Sequence, residues 1–286
     1  MLDLTITKEV FEFVLPVFQS PTEHLFERLA HEIDVATEEA HALIGDYADK
    51  AETKDTIRSH ATAWICCVAA RKTLPQLDLV LTETGFGVVS NQNIVPASQA
   101  RVSALNDSLR QKASRTLDRL LLALLSTPWR ESAVAIDRVS ALFWLPSHCR
   151  RHGVTFSREA GIRLNPLPVY DEEFDALRAS LAMAESKVAT LISPELYEYL
   201  IEQERLNQDS QSTALTLLVE RCRSLVAAFM KEQTHPKAVQ QLIKRVKETL
   251  EQYKGELDVY TSSATYKAQY VPVYENKKED STFFFS

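Results

Sequence analysis

Apolar residues along the chain recur mostly at helical spacing. From about Asp55, the residues Ile57, Ala61, Trp64, Ile65, Val68 and Ala69 fall on one face of a helix that ends before Pro75. Upstream, Ser20-Pro21-Thr22-Glu23 has the form of a capped start: a hydroxyl, a proline that loses no hydrogen bond in the first turn, and a glutamate able to reach back. It predicts a helix to about Ile44, stopped by Gly45. Ser98 opens a third helix with Val102, Leu105, Leu109, Leu117, Leu120, Leu121 and Leu124 as a leucine stripe, ended by Pro128. A fourth is predicted from about Glu131 to Leu145, carrying Val134, Ile136, Val139, Leu142, Phe143 and Trp144 and closed by Pro146. Further helices are predicted from Asp171 to about Ile192, from Ser193-Pro194 through Tyr197 and Leu200, from about Ser212 to Lys231, and from Pro236 to Tyr253.

Two stretches break the helical period. Leu77, Leu79 and Leu81 alternate with Asp78, Val80 and Thr82, then Thr84-Gly85-Phe86-Gly87 turns into Val88 and Val89, which predicts a β-hairpin. From Ser147 to Tyr170 no period is sustained, and Gly153, Gly161, Pro166 and Pro168 mark a connector. The predicted fold is therefore mainly α. A helical bundle over 1–148 carries a hairpin inserted near 77–96, a connector spans 149–170, a second bundle spans 171–260, and an extended tail spans 261–286. The order of elements repeats between the halves, and Cys67-Val68-Ala69-Ala70-Arg71-Lys72 resembles Leu225-Val226-Ala227-Ala228-Phe229-Met230-Lys231. Diverged duplication and coincident amphipathicity both account for that likeness.

Composition narrows the function classes. Of 286 residues, 45% are hydrophobic and 25% charged, ordinary for a globular chain without a membrane span. Only 6 glycines disfavour turn-dense β folds and glycine-looped nucleotide sites, and the net charge of −7 argues against a free-standing nucleic-acid binder. Cys66, Cys67, Cys149 and Cys222 form neither a disulfide ladder nor a paired metal knuckle, which fits a reducing compartment. The N-terminal stretch carries Asp3, Lys8, Glu9 and Glu12 among its apolar residues, unlike a signal peptide, and is read as mature protein made in the cytoplasm.

Candidate chemistry is thin. His148-Cys149-Arg150-Arg151-His152 places two histidines at i, i+4, but two arginines intervene and no second ligand cluster exists; a cationic helix end is the simpler reading. Glu172-Glu173 and similar carboxylate pairs read as solvated surface, and the basic positions from Arg101 to Arg119 as the exterior of an amphipathic helix. No catalytic residue, metal or cofactor is assigned, and the chain is read as a non-enzyme. Interaction is assigned instead to two places. An isolated hairpin is marginal in water, so Gly85, Phe86 and Gly87 are expected at an assembly contact. In the tail, Tyr270, Val271, Val273 and Tyr274 suit an edge strand, and Phe283, Phe284 and Phe285 suit pockets on a partner.

The segment from Leu77 to Asn91, followed by Pro96-Ala97-Ser98 and Arg101-Val102, resembles a family of uncharacterised proteins encoded by Bacteroidales phages and prophages. Trp129 and the closing Tyr274-Glu275-Asn276-Lys277-Lys278 with terminal aromatics are similar too. The resemblance implies a virion structural protein, a head–tail connector (adaptor) ring component that joins portal to tail. Its implied partners are the portal protein, a tail or second connector protein, and copies of itself in a cyclic oligomer, with DNA passing nearby without sequence-specific binding. Its implied place is the virion neck, assembled in the bacterial host cytoplasm. Another minor virion, neck or tail-completion protein is the alternative within that context, and an intracellular helical enzyme or regulator is the alternative outside it.

Overall fold

The computed structural model describes residues 2–18, 24–48, 52–76, 79–82, 85–88, 99–156, 167–208, 212–231 and 236–269. The chain is mainly α. In order it forms α1 (Lys8–Val14), α2 (His24–Ile44), α3 (Lys54–Thr73), β1 (Leu79–Thr82), β2 (Gly85–Val88), α4 (Gln99–Leu124), α5 (Ala133–Arg138), α6 (Pro146–Arg151), α7 (Asp171–Ile192), α8 (Pro194–Arg205), α9 (Thr213–Met230), α10 (Pro236–Gln252), α11 (Asp258–Ser262) and α12 (Ala264–Gln269).

Buried apolar side chains fall into two clusters. The first runs from Leu2 to Leu145 and is centred on α3, which packs along both α2 and α4 and buries Ile57, Ala61, Trp64, Ile65, Cys66, Cys67, Ala69 and Ala70. α2 ends where Gly45 takes φ +60 and its N–H donates to the His41 carbonyl, a left-handed stop that glycine adopts without steric cost. Trp129, fully buried, donates its indole N–H to the Leu43 carbonyl at 2.7 Å and ties the chain after α4 to the end of α2. The second cluster runs from Leu142 to Tyr260; α9 lies between α7 and α10 and buries Leu218, Val219, Cys222, Leu225 and Val226. One residue, Ser193, joins α7 to α8 at φ 131, and its hydroxyl accepts from the Leu196 N–H at 3.0 Å.

The chain crosses between the clusters at Leu142–Leu145, with Leu142 and Phe143 in the second and Trp144 and Leu145 in the first. This corrects the helix expected from Glu131 to Leu145. Only a 3₁₀ turn, Pro128–Glu131, and the six-residue α5 form there, and Val134 and Ile136 are exposed rather than buried. Backbone groups that a longer helix would use are engaged by distant side chains instead. The Phe143 N–H donates to Glu185 Oε1 at 2.8 Å, and Arg223 Nε donates to the Leu142 carbonyl at 3.1 Å.

Two further expectations change. Residues 261–269 form the end of α11, the capping Ser263 and α12 rather than an extended tail, because Tyr266 stacks edge-on against Tyr260 at 5.2 Å and its N–H is capped by Ser263 Oγ. At the β-ladder the register is Leu79↔Val88, Val80↔Gly87, Leu81↔Phe86 and Thr82↔Gly85. Gly85 and Gly87 thus pair within the ladder, with Thr82 and Val80, and are not the turn. α1, which local pattern did not announce, is a seven-residue helix capped by Thr7 that buries Phe11.

Candidate functional site

Of the residues assigned to interaction, Gly85, Phe86 and Gly87 lie in β2, paired with β1 in an antiparallel sheet of two strands. Tyr270, Val271, Val273, Tyr274, Phe283, Phe284 and Phe285 lie outside the described residues. What the structure does bring together is a junction of charged and aromatic side chains between the two clusters, built from α3, α4, α6, α7, α8 and α9.

On one side of the junction, Tyr170 precedes α7 and two guanidinium groups lie over its ring, Arg110 at 5.5 Å and Arg150 at 5.1 Å. Gln111 donates to its hydroxyl at 2.7 Å. Glu173 serves two elements: Oε2 accepts from the Tyr170 N–H at 3.1 Å, capping α7, and Oε1 accepts from Arg110 at 2.7 Å. Its neighbour Glu172 is largely exposed and pairs with Arg71 of α3. Arg150 of α6 donates to Asp118 Oδ2 of α4 at 2.6 Å and to the Val169 carbonyl at 2.8 Å. Burial raises the Asp118 pKa despite the opposing pull of Arg150, and burial likewise raises that of Asp171.

On the other side, Arg223 of α9 pairs with Glu204 of α8 while its Nε holds the Leu142 carbonyl. Glu185 of α7, also pushed up by burial, holds the Phe143 N–H and lies beside the Tyr197 hydroxyl, whose pKa is raised first by burial and then by that carboxylate. His148 is buried with Cys149, and His152 sits 3.5 Å from Glu220. A second strap closes the junction nearby: Arg130 donates to the Leu206 carbonyl at 3.2 Å and Arg205 to the Arg130 carbonyl at 2.6 Å.

Chemically, each buried charge here is spent on a neighbour, so the arrangement positions helices. Among the described residues no group of three or more His, Cys, Asp or Glu is placed to hold a metal ion. Burial raises the thiol pKa of Cys66 to about 12, Cys67 to about 11, Cys149 to about 12 and Cys222 to about 12, far from the range of a reactive thiolate. No helix among the described residues is long and apolar enough to cross a membrane. The basic stretch of α4 is not uniformly exterior, because Arg110 and Asp118 face the junction, and Glu173 is buried rather than solvated. The signal that marks these positions is a charge inside an apolar stripe: Asp118 between Leu117 and Leu121, Glu185 between Leu181 and Val188, Arg223 between Val219 and Val226.

Residues 18–137 match a family of unknown function (DUF6712), a stretch that takes in α2 through most of α5 and leaves α6 and the second cluster outside it. No curated protein and no solved structure matches the chain.

Proposed function

We propose that this chain is a structural protein of a phage virion, a ring-forming head–tail connector in which two helical bundles form the body and the β-ladder and the aromatic segment beyond Gln269 engage neighbours. The observation that supports it best is the ladder. Two antiparallel strands sit in an otherwise helical chain, and each has an edge of backbone donors and acceptors without a strand partner among the described residues. Such an edge takes up an added strand from another chain through main-chain hydrogen bonds, and a cyclic assembly offers every copy the same neighbour. A second support is the junction, where buried ion pairs fix helices in place, as a load-transmitting ring subunit requires.

The test is truncation after Glu275 together with Phe86→Pro, which removes a backbone donor from β2, scored by incorporation into particles. The reading expects truncated monomer with nearly unchanged thermal unfolding that no longer enters particles, and a Phe86→Pro chain of unchanged helix content whose ring formation is impaired. Truncation that leaves incorporation intact, or that lowers monomer stability while assembly proceeds, contradicts it.

A further inference from the structure

α6 reaches into both sides of the junction. Arg150 runs to Asp118 of α4, in the helix that carries the first cluster, while Cys149 is fully buried in the second. His148 and His152 are one turn apart and share a face. The ring of Phe143 lies 6.3 Å from His148 and 5.8 Å from His152, and that of Trp144 lies 5.8 Å from His148. Those two aromatics belong to different clusters, so the imidazoles fill the space where the chain crosses over.

The charges around this pair are mostly cationic. α9 presents Arg223, Glu220 and, just past its end, Lys231; α6 itself adds Arg151. Glu220 is shared, since Arg151 at 3.6 Å and Arg223 at 3.5 Å both draw on it besides His152. From α7, Glu185 is taken by the Phe143 N–H, and from α8, Glu204 is taken by Arg223. Across α6, Asp118 of α4 is taken by Arg150. Two added positive charges would meet three cations and one divided carboxylate, with His148 enclosed and Glu220 and Arg151 partly in solvent.

We propose that α6 is an acid-sensitive latch: when His148 and His152 take up protons, α6 and the Leu142–Leu145 crossover leave the junction, while each cluster keeps its own helices. Burial first and Arg223 next hold the His148 imidazole well below its ordinary 6.5, and burial lowers His152 against the pull of Glu220. A histidine with lowered folded affinity costs nothing above its ordinary value and costs progressively more as pH falls below it. Asp118 and Glu185 run the opposite way, because burial raises their pKa and their protonation on acidification relieves the folded state. The difference between wild type and a histidine variant therefore isolates the latch.

Hydrogen exchange of the full chain, corrected for intrinsic rates, is measured from about pH 7.5 to about pH 5 for wild type, His148→Phe and His152→Gln. Protection of the 142–156 peptides is expected to fall by about tenfold per pH unit for each imidazole charged, once below the ordinary histidine value. Peptides of α3 and α9 should stay protected, and each substitution should flatten the dependence. Loss of protection in all three regions together, or a folded variant whose pH dependence at 142–156 equals that of wild type, overturns the proposal. Should His148→Phe fail to fold, His152→Gln, beside the partly exposed Glu220, decides alone.

Discussion

Replacing Arg150 with methionine keeps most of the apolar stem but removes the guanidinium that serves Asp118, Val169 and Tyr170. The Asp118 side chain is only 7% exposed, so its carboxylate would be left buried without its cation. Breaking a buried pair in this way costs about 3–5 kcal/mol, and the orphaned Val169 carbonyl adds about 1 kcal/mol. For a chain of this size that corresponds to a fall in Tm of roughly 10 °C. Burial already outweighs Arg150 in setting the Asp118 pKa, so without Arg150 the carboxyl protonates still more readily. The penalty should therefore shrink as pH drops from about 7.5 to about 5, as the proton takes over part of the arginine's role. The double variant Arg150→Met/Asp118→Leu should recover most of the loss, because neither charge is then buried alone. Urea and thermal unfolding of the four proteins in the cycle, at both pH values, supply the measurement. A single variant within about 1 kcal/mol of wild type, a double variant no better than the single, or a penalty that grows on acidification would refute the reasoning.

All four thiols are buried with raised pKa values, so a disulfide reagent near pH 8 should titrate none in the folded protein and all four in urea; one fast stoichiometric thiol in the folded state would contradict their burial. Trp129→Phe deletes the hydrogen bond to the Leu43 carbonyl and leaves unfilled space at a fully buried site, and should lower stability by about 2–3 kcal/mol in equilibrium unfolding, whereas a change under about 0.5 kcal/mol would show that the indole is dispensable. Gly45→Ala forces a Cβ into a left-handed conformation 3.3 Å from the Tyr47 ring and should cost about 1 kcal/mol; a neutral or stabilising result would contradict that strain.

Helix starts and stops were legible wherever they are written locally. Asp171-Glu172-Glu173 opens α7 with acids in its first turn, Ser193-Pro194 opens α8, Pro236 opens α10, and Gly45 closes α2. The breakdown of the helix expected over 131–145 was not, because what unmakes it lies far along the chain: Glu185 is 42 residues from Phe143 and Arg223 is 81 from Leu142. α1 escaped notice because a helix of two turns that buries a single side chain shows no stripe. For the junction, half of the signal was present. A charge within an apolar stripe, as at Asp118, Glu185 and Arg223, must find a partner, but which partner is a property of the packed helices. Glu172 and Glu173 show the same limit, since adjacent carboxylates part ways, one to solvent and Arg71, the other to a cap and Arg110.

The connector reading is tested most directly by imaging, at side-chain resolution, phage particles produced from the genome that encodes this chain. The account predicts a closed ring of copies between portal and tail, with the segment around Gly85–Val88 and the chain beyond Gln269 in contact with neighbouring subunits or the portal. A fully resolved portal–tail junction that contains no copy of the chain would contradict it.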